Sequence, residues 1–537
     1  MAIFPRPSRD LITDMIVNSL EQLGPDNPLR TVIVGGGTVG IYLAVLLSRQ
    51  GCDVVVIEAG DQNLGNFEAS TYECTGLPHE GIRIGRSRGL GGTSNLWGGQ
   101  LVEYQRADFI GREWLPDSRW PVGYDEIAAW HRPTYENLGI PARLTDDREV
   151  FRELNNPAPE LGEGVEVFLT RWLKIPSFAS VFETEMQTLG NLRVLLNHVV
   201  SGFEGSGGSI SAVSIVKPDG STSRLAGARF ILASGTIEIV RLLLHSAESP
   251  GWDCPWRGNG NLGAYFQDHV GGRAASVHPL DRKRFLDVFS TIVLGGQKFQ
   301  PKMRFTSATL ETEPTLNMQG MMYFESSISE NMVFLKQFLK AAIYSRRISG
   351  VMPLVRNLIG CGRHLPPLMW RYIVQNRVFV PSGSKISFML QSEQTPLLGS
   401  RISIDRSQLD VFGLPKVLLD WRIGDFELRA MHDFTARCKR ALEASGLAKM
   451  RIVDDLERLS PDYLRSVLDN YHHAGGARMG ESAADGVVDK DLLVFGTDNL
   501  YVLGAAVFRT TSNANTTFLA LTFATRLAAR LASRAER

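Results

Sequence analysis

Cysteine is scarce in this sequence, and neither sign of charge prevails. The five cysteines are widely scattered and show no C-x-x-C spacing, which argues against a zinc site or a redox pair and favours a reducing compartment. The 57 basic residues equal the 57 acidic residues in number, so no overall field would attract nucleic acid or a polyanionic substrate. We therefore expect neither a metal nor a nucleic-acid partner.

Long apolar runs are also missing. No stretch of about eighteen apolar residues predicts a membrane-spanning helix, and the first residues have neither the apolar core of a signal peptide nor a twin arginine. We interpret residues 1–28 as a short helical extension of a cytoplasmic protein. The chain has 537 residues, 44% of them hydrophobic, which is enough for several domains and a large buried ligand.

The segment from Arg30 to Gly60 carries the first functional signal. Apolar runs at residues 31–34 and 54–57 predict two buried strands, and the residues between them have the apolar spacing of a helix. Glu58 ends the second strand, where its carboxylate can accept hydrogen bonds from both hydroxyls of an adenosine ribose. This order predicts a βαβ unit that binds a dinucleotide.

Three glycines open the helix of this unit. Gly35, Gly37 and Gly40 form the pattern G-x-G-x-x-G. The first allows a tight turn, the second lets a pyrophosphate approach the backbone, and the third lets helix and strand close together. The motif alone does not separate FAD from NAD.

The segments that follow resemble one known family. Residues 85–100 read GRSRGLGGTSNLWGGQ, and together with the opening motif they resemble the glucose-methanol-choline (GMC) family of FAD-dependent oxidoreductases. Similar stretches continue at residues 120–127, 230–246, 261–270 and 499–528, in the order that the family has them. The resemblance implies FAD as the cofactor. An NAD enzyme, the alternative on the nucleotide motif alone, leaves the second glycine-rich turn without a purpose.

The resemblance also implies which residues bind FAD. Besides the residues of the βαβ unit, these are Arg88, Gly91, Gly92, Thr93, Asn95, Val199, Gly504, Ala505, Asn515 and Thr516. Val199 matches the position whose backbone meets the adenine, although plain sheet core explains it equally well. Some members attach FAD covalently through a histidine at the position of Leu96. Leucine cannot form that bond, so we expect non-covalent FAD.

Short strand-like runs follow in two regions. Between residues 191 and 233, three runs separated by turns fit the β-meander that such flavoproteins place beside the nucleotide sheet. Later runs, KISFMLQSEQ, SRISID and PKVLLDWRI, predict an antiparallel sheet, and a helical stretch after them should end at Gly446. We expect the second group to form the substrate-binding domain.

The expected fold class is α/β, with a Rossmann-like FAD-binding domain and an interleaved α+β substrate-binding domain built on an antiparallel sheet. The FAD-binding domain would comprise residues 29–275, of which 120–190 lie partly on the substrate side, and residues 468–537, which carry the catalytic groups. The substrate-binding domain would comprise residues 276–467.

A basic segment interrupts the substrate-binding part. Residues 331–381 contain eight Lys and Arg but no Asp or Glu, with large apolar residues between them. A basic amphipathic helix can lie on an anionic membrane surface. A helical lid or a subunit contact is the alternative that we favour, because glycines and prolines divide the segment into short pieces.

Flavin-dependent alcohol oxidation needs a base for the hydroxyl proton, and neutral histidine suits this task. In the GMC family the base lies six residues before the arginine of a stretch like HHAGGARMG, which implies His472 here. The neighbouring His473 could be a substrate contact or merely packed. His269 also matches a family position, and we interpret it as holding a strand.

The second active-site residue of the family is a His or Asn in the last segment. The resemblance implies Asn515, with Asn513 as a competitor for the role. Two departures from the family pattern stand nearby, Arg509 and Thr516, each in place of a proline. The helix after Asn515 should direct its positive N-terminal end at the reduced flavin ring.

Together these features predict FAD-dependent oxidation of an alcohol, with oxygen or an unknown acceptor taking the electrons. Motifs such as HHAGGARMG look most like bacterial members that act on sugars and glycosides. The alternatives are a non-sugar alcohol, a protein of the same fold with a lyase-type activity, and a flavin-carrying binding protein.

Overall fold

The computed structural model describes residues 15–17, 19–23, 27, 29–62, 65, 71–248, 252–325 and 365–535. Most of the basic segment 331–381 lies outside the described residues, so its predicted role stays a prediction. The described part is a mixed α/β structure that contains four sheets, in agreement with the predicted fold class.

A parallel sheet of six strands forms the nucleotide side. Its strands, in spatial order, are Ile16–Val17, Leu192–Leu195, Val54–Ile57, Thr31–Val34, Arg229–Leu232 and Leu500–Val502. The two strands of the predicted βαβ unit occur where the sequence places them. Their continuous Val and Ile side chains are all buried, as expected for a parallel sheet covered on both faces.

The N-terminal extension differs from its prediction. Within the described part of residues 1–28, Ile16–Val17 is a strand that pairs in parallel with Leu192–Leu195. A single turn of 3-10 helix follows at Leu20–Leu23. The strand adds an edge to the parallel sheet, an interaction that two residues of sequence cannot reveal.

The predicted β-meander exists, and two of the three runs assigned to it contribute strands. It consists of Val199–Ser206, Ser209–Val216 and Thr222–Ala226, paired in antiparallel fashion. The first run also contains the strand Leu192–Leu195, and the last run contains Arg229–Leu232. Both of these strands belong to the parallel sheet. Buried strands of both sheets have the same apolar composition, so the sequence did not separate them.

A large antiparallel sheet forms the second half of the molecule. Its main strands, in spatial order, are Ala448–Ile452, Val270–Pro279, Lys385–Ser392, Met318–Glu325, Gln297–Phe305, Val165–Trp172 and Gln100–Leu101. Two short strands join it, Ile292–Leu294 and Leu468–Asp469. Strand Val270–Pro279 crosses the predicted boundary after residue 275, and the domain boundaries themselves stay predictions.

The two faces of the large sheet have different neighbours. Phe305 and Phe388 contact Phe434 of helix Asp425–Ala444, with ring centroids 4.8 and 6.2 Å apart. Because side chains alternate along a strand, residues of the other face point away from this helix. That face carries Trp172, which lines the main cavity.

The fourth sheet has three strands and differs from its predicted assignment. The runs SRISID and PKVLLDWRI do form strands, Arg401–Leu409 and Pro415–Asp420, but these strands do not join the large sheet. They pair with each other, and Pro415–Asp420 also pairs in parallel with Tyr72–Cys74. Pairing with a segment more than three hundred residues away leaves no local signal in the sequence.

Helices cover the sheets. The α-helices of the described residues are Thr38–Arg49, Tyr124–Ala128, His131–Asn137, Asp147–Glu153, Phe178–Val181, Glu183–Thr188, Thr236–Ala247, Arg282–Phe289, Ser307–Thr312, Leu365–Ile373, Asp425–Ala444, Asp454–Glu457, Pro461–Ser466 and Thr516–Ala535. The turn after Asp425–Ala444 contains Gly446 at a φ of +67°, which confirms the predicted stop. None of the described helices is both long and apolar enough to cross a membrane.

Gly40 is required by packing, and this can be tested. A Cβ atom at this position would lie 1.9 Å from the carbonyl oxygen of Gly35, where the helix meets the first strand. We expect Gly40→Ala to lower the free energy of unfolding by at least about 2 kcal/mol. Urea unfolding measures this effect. Gly190→Ala is the matched control, because a Cβ atom there would meet nothing within 4 Å; equal losses in both variants would contradict the packing argument.

Candidate active site

A cavity of about 570 Å³ is lined by residues of both halves of the molecule. Most of the predicted cofactor residues line it, namely Gly35, Gly37, Glu58, Arg88, Gly92, Thr93, Val199, Gly504, Ala505, Asn515 and Thr516. Gly40, Gly91 and Asn95 do not. The structure therefore brings motifs from across the chain to one place.

The two glycine-rich turns pack directly against each other. The backbone N–H of Gly91 donates to the carbonyl oxygen of Gly36 at 2.8 Å. A Cβ atom at Gly92 would lie 2.8 Å from the Cα of Gly37, and Gly92 has a φ of +50°. Close approach of the two backbones thus requires glycine at position 92.

Glu58 binds the glycine-rich loops together. Its carboxylate accepts hydrogen bonds from the backbone N–H groups of Gly36, Gly60 and Gly89, at 2.8 to 2.9 Å. Burial raises the pKa of this carboxyl, and the three N–H groups counteract the rise. A carboxylate offers about four acceptor positions, so three are already used. Both ribose hydroxyls, which the sequence predicts as partners of Glu58, would have to share the remaining acceptor position.

Asn95 is a predicted cofactor residue that does not line the cavity. Asn95 donates from Nδ2 to the carbonyl oxygen of Leu90 at 3.0 Å and accepts at Oδ1 from the Ser177 hydroxyl at 2.6 Å. Its side chain ties the second glycine-rich turn, which includes Gly91, to a neighbouring loop. A role in shaping the turn therefore fits Asn95 better than a direct cofactor contact.

His472 lies at the cavity and makes two side-chain hydrogen bonds. Its Nδ1 is 2.9 Å from Nδ1 of His269, and its Nε2 is 3.0 Å from Nδ2 of Asn515. On the far side, Nε2 of His269 lies 2.9 and 3.1 Å from the carbonyl oxygens of Ser512 and Thr511. A chain of hydrogen bonds thus runs from the backbone through both rings to Asn515.

This chain determines where the protons lie. Carbonyl oxygens only accept, so His269 carries its proton on Nε2 and presents an unprotonated Nδ1. His472 must then donate from its own Nδ1. Its Nε2 is left without a proton and accepts from the Asn515 amide, at the cavity. This nitrogen can take up a proton from a ligand.

His269, which the sequence led us to interpret as holding a strand, also contacts His472. The ring is fully buried and touches His472 directly, with centroids 4.9 Å apart. Its place in the motif QDHV, just before strand Val270–Pro279, was visible in the sequence. Its distance from His472 was not, because 203 residues separate the two.

Asp268 also belongs to the site, although the sequence did not indicate it. Its carboxylate accepts from the backbone N–H of His472 at 2.8 Å and from Nε2 of His79 at 3.1 Å, and it lies 3.7 Å from Nε2 of His473. Burial would raise the pKa of this carboxyl, but the hydrogen bond with His79 and the nearby histidines hold it well below its usual range. Asp268 is thus a buried anion beneath the histidine pair.

The group His79, Asp268 and His473 has donor atoms close enough together for a metal ion. One contact disfavours that use. Nδ1 of His79 accepts a hydrogen bond from the backbone N–H of Ile82 at 3.1 Å, so the neutral ring carries its proton on Nε2. That nitrogen donates to Asp268 and offers no lone pair to a metal.

Burial lowers the pKa of both neighbouring histidines. The pKa of His472 falls to about 3, with His269 and Lys302 adding to the effect and Asp268 opposing it. Burial likewise lowers the pKa of His473 to about 3, against the attraction of Asp268. Both rings are therefore neutral at neutral pH. His473 also lines the cavity, and its Nε2 has no hydrogen-bond partner.

The loop before Asn515 is held by buried polar groups. Ser512 has a φ of +57° and donates from its hydroxyl to Asp108 at 2.7 Å. Asn317 donates to the same carboxylate at 2.8 Å, and the Tyr104 hydroxyl donates to the carbonyl oxygen of Thr511 at 2.8 Å. These bonds set the two carbonyl groups that orient His269.

The two asparagines of this loop have different surroundings. Asn513 is fully buried away from the cavity, where its Nδ2 donates to the carbonyl oxygen of Met318 at 3.3 Å. Asn515 lines the cavity and contacts His472. Arg509, which replaces a proline of the family pattern, pairs with Asp485 at 2.8 Å and holds the start of the loop.

Comparison with family models decides the class of protein. Residues 30–343 match the model described as FAD dependent oxidoreductase, which covers more than half of the chain. Residues 399–524 match the model described as GMC oxidoreductase. The chain belongs to the FAD-dependent oxidoreductases. Its C-terminal part is a GMC oxidoreductase domain, so the protein is an enzyme of this type and its cofactor is FAD.

Solved structures share the fold. Pyridoxine 4-oxidase from Mesorbium loti is 19% identical, with a TM-score of 0.55 over 94% of this chain and 99% of that one. A fungal aryl-alcohol oxidase is 15% identical, with a TM-score of 0.55 over 96% and 100%. Formate oxidase is 16% identical, with a TM-score of 0.56 over 95% and 100%. No curated protein matches the chain in sequence.

The cavity wall fits FAD. Gly37 has a φ of −82°, and a Cβ atom there would come no closer than 4.0 Å to the protein, so neither backbone nor packing requires glycine. The free space lies at the start of helix Thr38–Arg49, whose first N–H groups have no side-chain cap. A pyrophosphate at this place would fill the space and meet those groups.

A second helix also begins at the cavity wall. Thr516 and Thr517, the first residues of helix Thr516–Ala535, line the wall beside Asn515. The partial positive charge of this helix end would stabilise negative charge on a reduced flavin. The position agrees with the orientation that the sequence predicts for this helix.

The buried histidines should make stability depend on pH. A histidine with a pKa of about 3 when folded and about 6.5 when unfolded stabilises the protein above pH 6.5, and this contribution is lost as the pH falls. From pH 7.5 to 5.5 the loss is about 1.4 kcal/mol for each such histidine. We expect His473→Asn to reduce the pH-dependent loss of unfolding free energy by about this amount, measured in urea. The same substitution at the exposed His278 is the control, and an unchanged slope in His473→Asn would contradict the assignment.

Proposed function

We propose that this enzyme oxidises an alcohol group, with His472 as the base and Asn515 as its partner at the substrate oxygen. The observation that carries the proposal is the unprotonated Nε2 of His472 at the cavity. The hydrogen-bond chain from Ser512 through His269 places the only ring proton of His472 on the opposite nitrogen. General base catalysis requires such a nitrogen within reach of the hydroxyl.

The residues of the chain would act on the hydroxyl as follows. The alcohol O–H donates to Nε2 of His472, and Nδ2 of Asn515, which now contacts that nitrogen, donates to the alcohol oxygen. As the C–H bond breaks, the proton passes to Nε2. FAD, when bound, supplies the acceptor for the hydride. Asp268 lies close enough to His472 to favour the resulting imidazolium.

A sugar or glycoside is the proposed substrate. Oδ1 of Asn515 is buried and has no hydrogen-bond partner. If Nδ2 donates to the reacting oxygen, Oδ1 faces a neighbouring position where it needs a donor. A second hydroxyl next to the reacting one, as sugars provide, would satisfy it. The similarity of the motifs to those of sugar-oxidising members favours the same class of substrate.

We also propose that FAD is bound without a covalent link. Leu96, at the position where some family members carry the linking histidine, lines the cavity. Its side chain has no atom that can bond to the flavin. His198, His472 and His473 also line the cavity, but none of them belongs to the glycine-rich turn that carries this position.

Replacing His472 tests the proposed base. We expect His472→Ala to keep its flavin yet to slow flavin reduction by alcohol by at least about 10²-fold, because the base supplies about 10²–10⁴-fold. Anaerobic stopped-flow bleaching of the flavin, with a panel of sugars, glycosides and benzyl alcohol, measures this rate. His278→Ala, at an exposed histidine of the large sheet, is the control. Wild-type bleaching in His472→Ala would reject the base, and bound sugars that never bleach the wild-type flavin would favour a non-redox activity.

The cofactor link can be tested on the purified protein. Because no bond to Leu96 can form, acid precipitation should leave the yellow flavin in the supernatant. Absorbance of the supernatant and the mass of the denatured chain measure this. Flavin that stays in the pellet, with a chain mass raised by one FAD, would contradict the proposal.

A further inference from the structure

A buried lysine lies on the cavity side of the large sheet. Lys302 of strand Gln297–Phe305 is 4% exposed, and its Nζ donates to Oε1 of Gln100 at 3.1 Å and to Oε1 of Gln319 at 3.2 Å. An ammonium group has three hydrogens to donate. The third has no acceptor within hydrogen-bond distance among the described residues.

No anion accompanies this cation. Among the described residues no carboxylate oxygen lies within 4 Å of the Lys302 ammonium group, whereas the other buried cations of this sheet region, Arg112 and Arg171, pair with Glu393 and Asp147 at 2.7 Å. Burial lowers the pKa of Lys302 to about 7, and no neighbouring charge opposes the shift. A buried charge without a partner is costly, so the site favours a ligand that supplies the anion.

Other unpartnered groups nearby are donors as well. Nε2 of Gln319 is buried and has no hydrogen-bond partner, and the same holds for Nε1 of Trp172. Gln319 faces Arg304 across the strand pair, and Trp172 faces Gln100, so all of these side chains share one face of the sheet. An acceptor-rich group is the ligand that would satisfy them.

The cluster is connected to the proposed reaction centre. Gln100 and Trp172 line the same cavity as His472 and Asn515. Lys302 is also one of the charges that lower the pKa of His472, so the two residues are near enough to interact. The cavity therefore has acceptors at His472 Nε2 and Asn515 Oδ1 and an unpartnered donor at Trp172 Nε1. Lys302 lies behind the cavity wall, at the amide oxygen of Gln100.

We propose that Lys302, with Gln319 and Trp172, binds a carboxylate of the substrate, while the alcohol of the same molecule lies at His472. The carboxylate would replace the amide oxygen of Gln100 at the ammonium group as that side chain turns. This inference rests on the proposed function for the alcohol end. It makes the substrate a hydroxy acid, and a sugar acid if the substrate is a sugar.

Charge decides between carboxylate and phosphate. The wall offers one buried cation, Lys302, and a monoanion neutralises it. A phosphate dianion would need a second cation, and phosphate sites commonly use Arg for its paired donors. The remaining donors, an amide and an indole, are neutral. A carboxylate therefore matches both the charge and the two or three available N–H groups.

The neighbouring charges do not duplicate Lys302. On its own strand Lys298 lies over the Trp172 ring, with Nζ 3.7 Å from the centroid, and Arg304 pairs with Glu166 of the adjacent strand at 2.8 Å. His472, whose pKa Lys302 helps to lower, is neutral at neutral pH and adds no charge. Binding of an anion should thus follow the protonation of Lys302.

Small probes of equal shape test the site in the FAD-bound enzyme. We expect acetate to bind at least ten-fold more tightly than acetamide at pH 6, measured by the change in flavin absorbance and by calorimetry. Above pH 7 the lysine loses its proton, so the dissociation constant for acetate should rise up to ten-fold per pH unit, and that for acetamide should not. Equal affinities for the two probes, or no pH dependence, would overturn the proposal.

Three variants test whether Lys302 and Gln319 form the acetate site. Lys302→Met should abolish the preference for acetate, and Lys449→Met, at an exposed lysine of the same sheet, should keep it. Gln319→Leu keeps a side chain of similar size but removes the unpartnered Nε2 donor, and it should weaken acetate binding several-fold. If Lys302→Met does not retain FAD, two measurements still test the proposal. They are the pH dependence of acetate binding to the wild-type protein and the acetate affinity of Gln319→Leu. A wild-type preference in Lys302→Met would overturn the proposal.

The outcomes for this site and for the proposed reaction are separable. His472→Ala should bind acetate as the wild type does, because it leaves the Lys302 cluster intact. If alcohols reduce the flavin but acetate shows no preference over acetamide, the carboxylate site is wrong and the alcohol oxidation stands. If acetate is preferred but no alcohol or hydroxy acid reduces the flavin, the proposed oxidation is wrong.

Discussion

The hydrogen bond between His269 and His472 is the interaction on which the active site depends. Backbone carbonyl groups of the loop before Asn515 accept at one end, and because they cannot donate, they determine the proton position on both rings. One imidazole therefore reaches the cavity with an unprotonated nitrogen. Without this chain either tautomer of His472 would be available, and only the tautomer with its proton on Nδ1 presents an unprotonated nitrogen to the cavity.

The loop that supplies these carbonyl groups is itself held from the substrate side. Ser512 adopts a left-handed backbone conformation that is uncommon for a residue other than glycine. Its hydroxyl donates to Asp108, whose carboxylate also receives the Asn317 amide of the large sheet. The two halves of the molecule thus meet at His472, the proposed base. A rigid contact between them suits a reaction that needs accurate placement of substrate against flavin.

Local sequence patterns were sufficient to predict some elements of the fold and failed to predict the sheet to which some strands belong. The βαβ unit, the stop at Gly446 and the last helix follow from apolar periodicity and glycine positions, which act within a few residues. Leu192–Leu195 and Arg229–Leu232 were assigned to the meander, and Arg401–Leu409 and Pro415–Asp420 to the large sheet, but all four strands belong to other sheets. Strand pairing depends on partners far along the chain, and strands of different sheets have the same composition.

The sequence by itself determined the class of protein, the FAD-binding motifs and the candidates His472 and Asn515, because each depends on residue types at short spacing. Only the tertiary structure decided what His269 does, which asparagine reaches the cavity, and where the protons lie on the histidine rings. It also showed the unpaired cation of Lys302. These properties depend on distances between side chains that are up to hundreds of residues apart, and on their removal from water, neither of which a linear pattern contains.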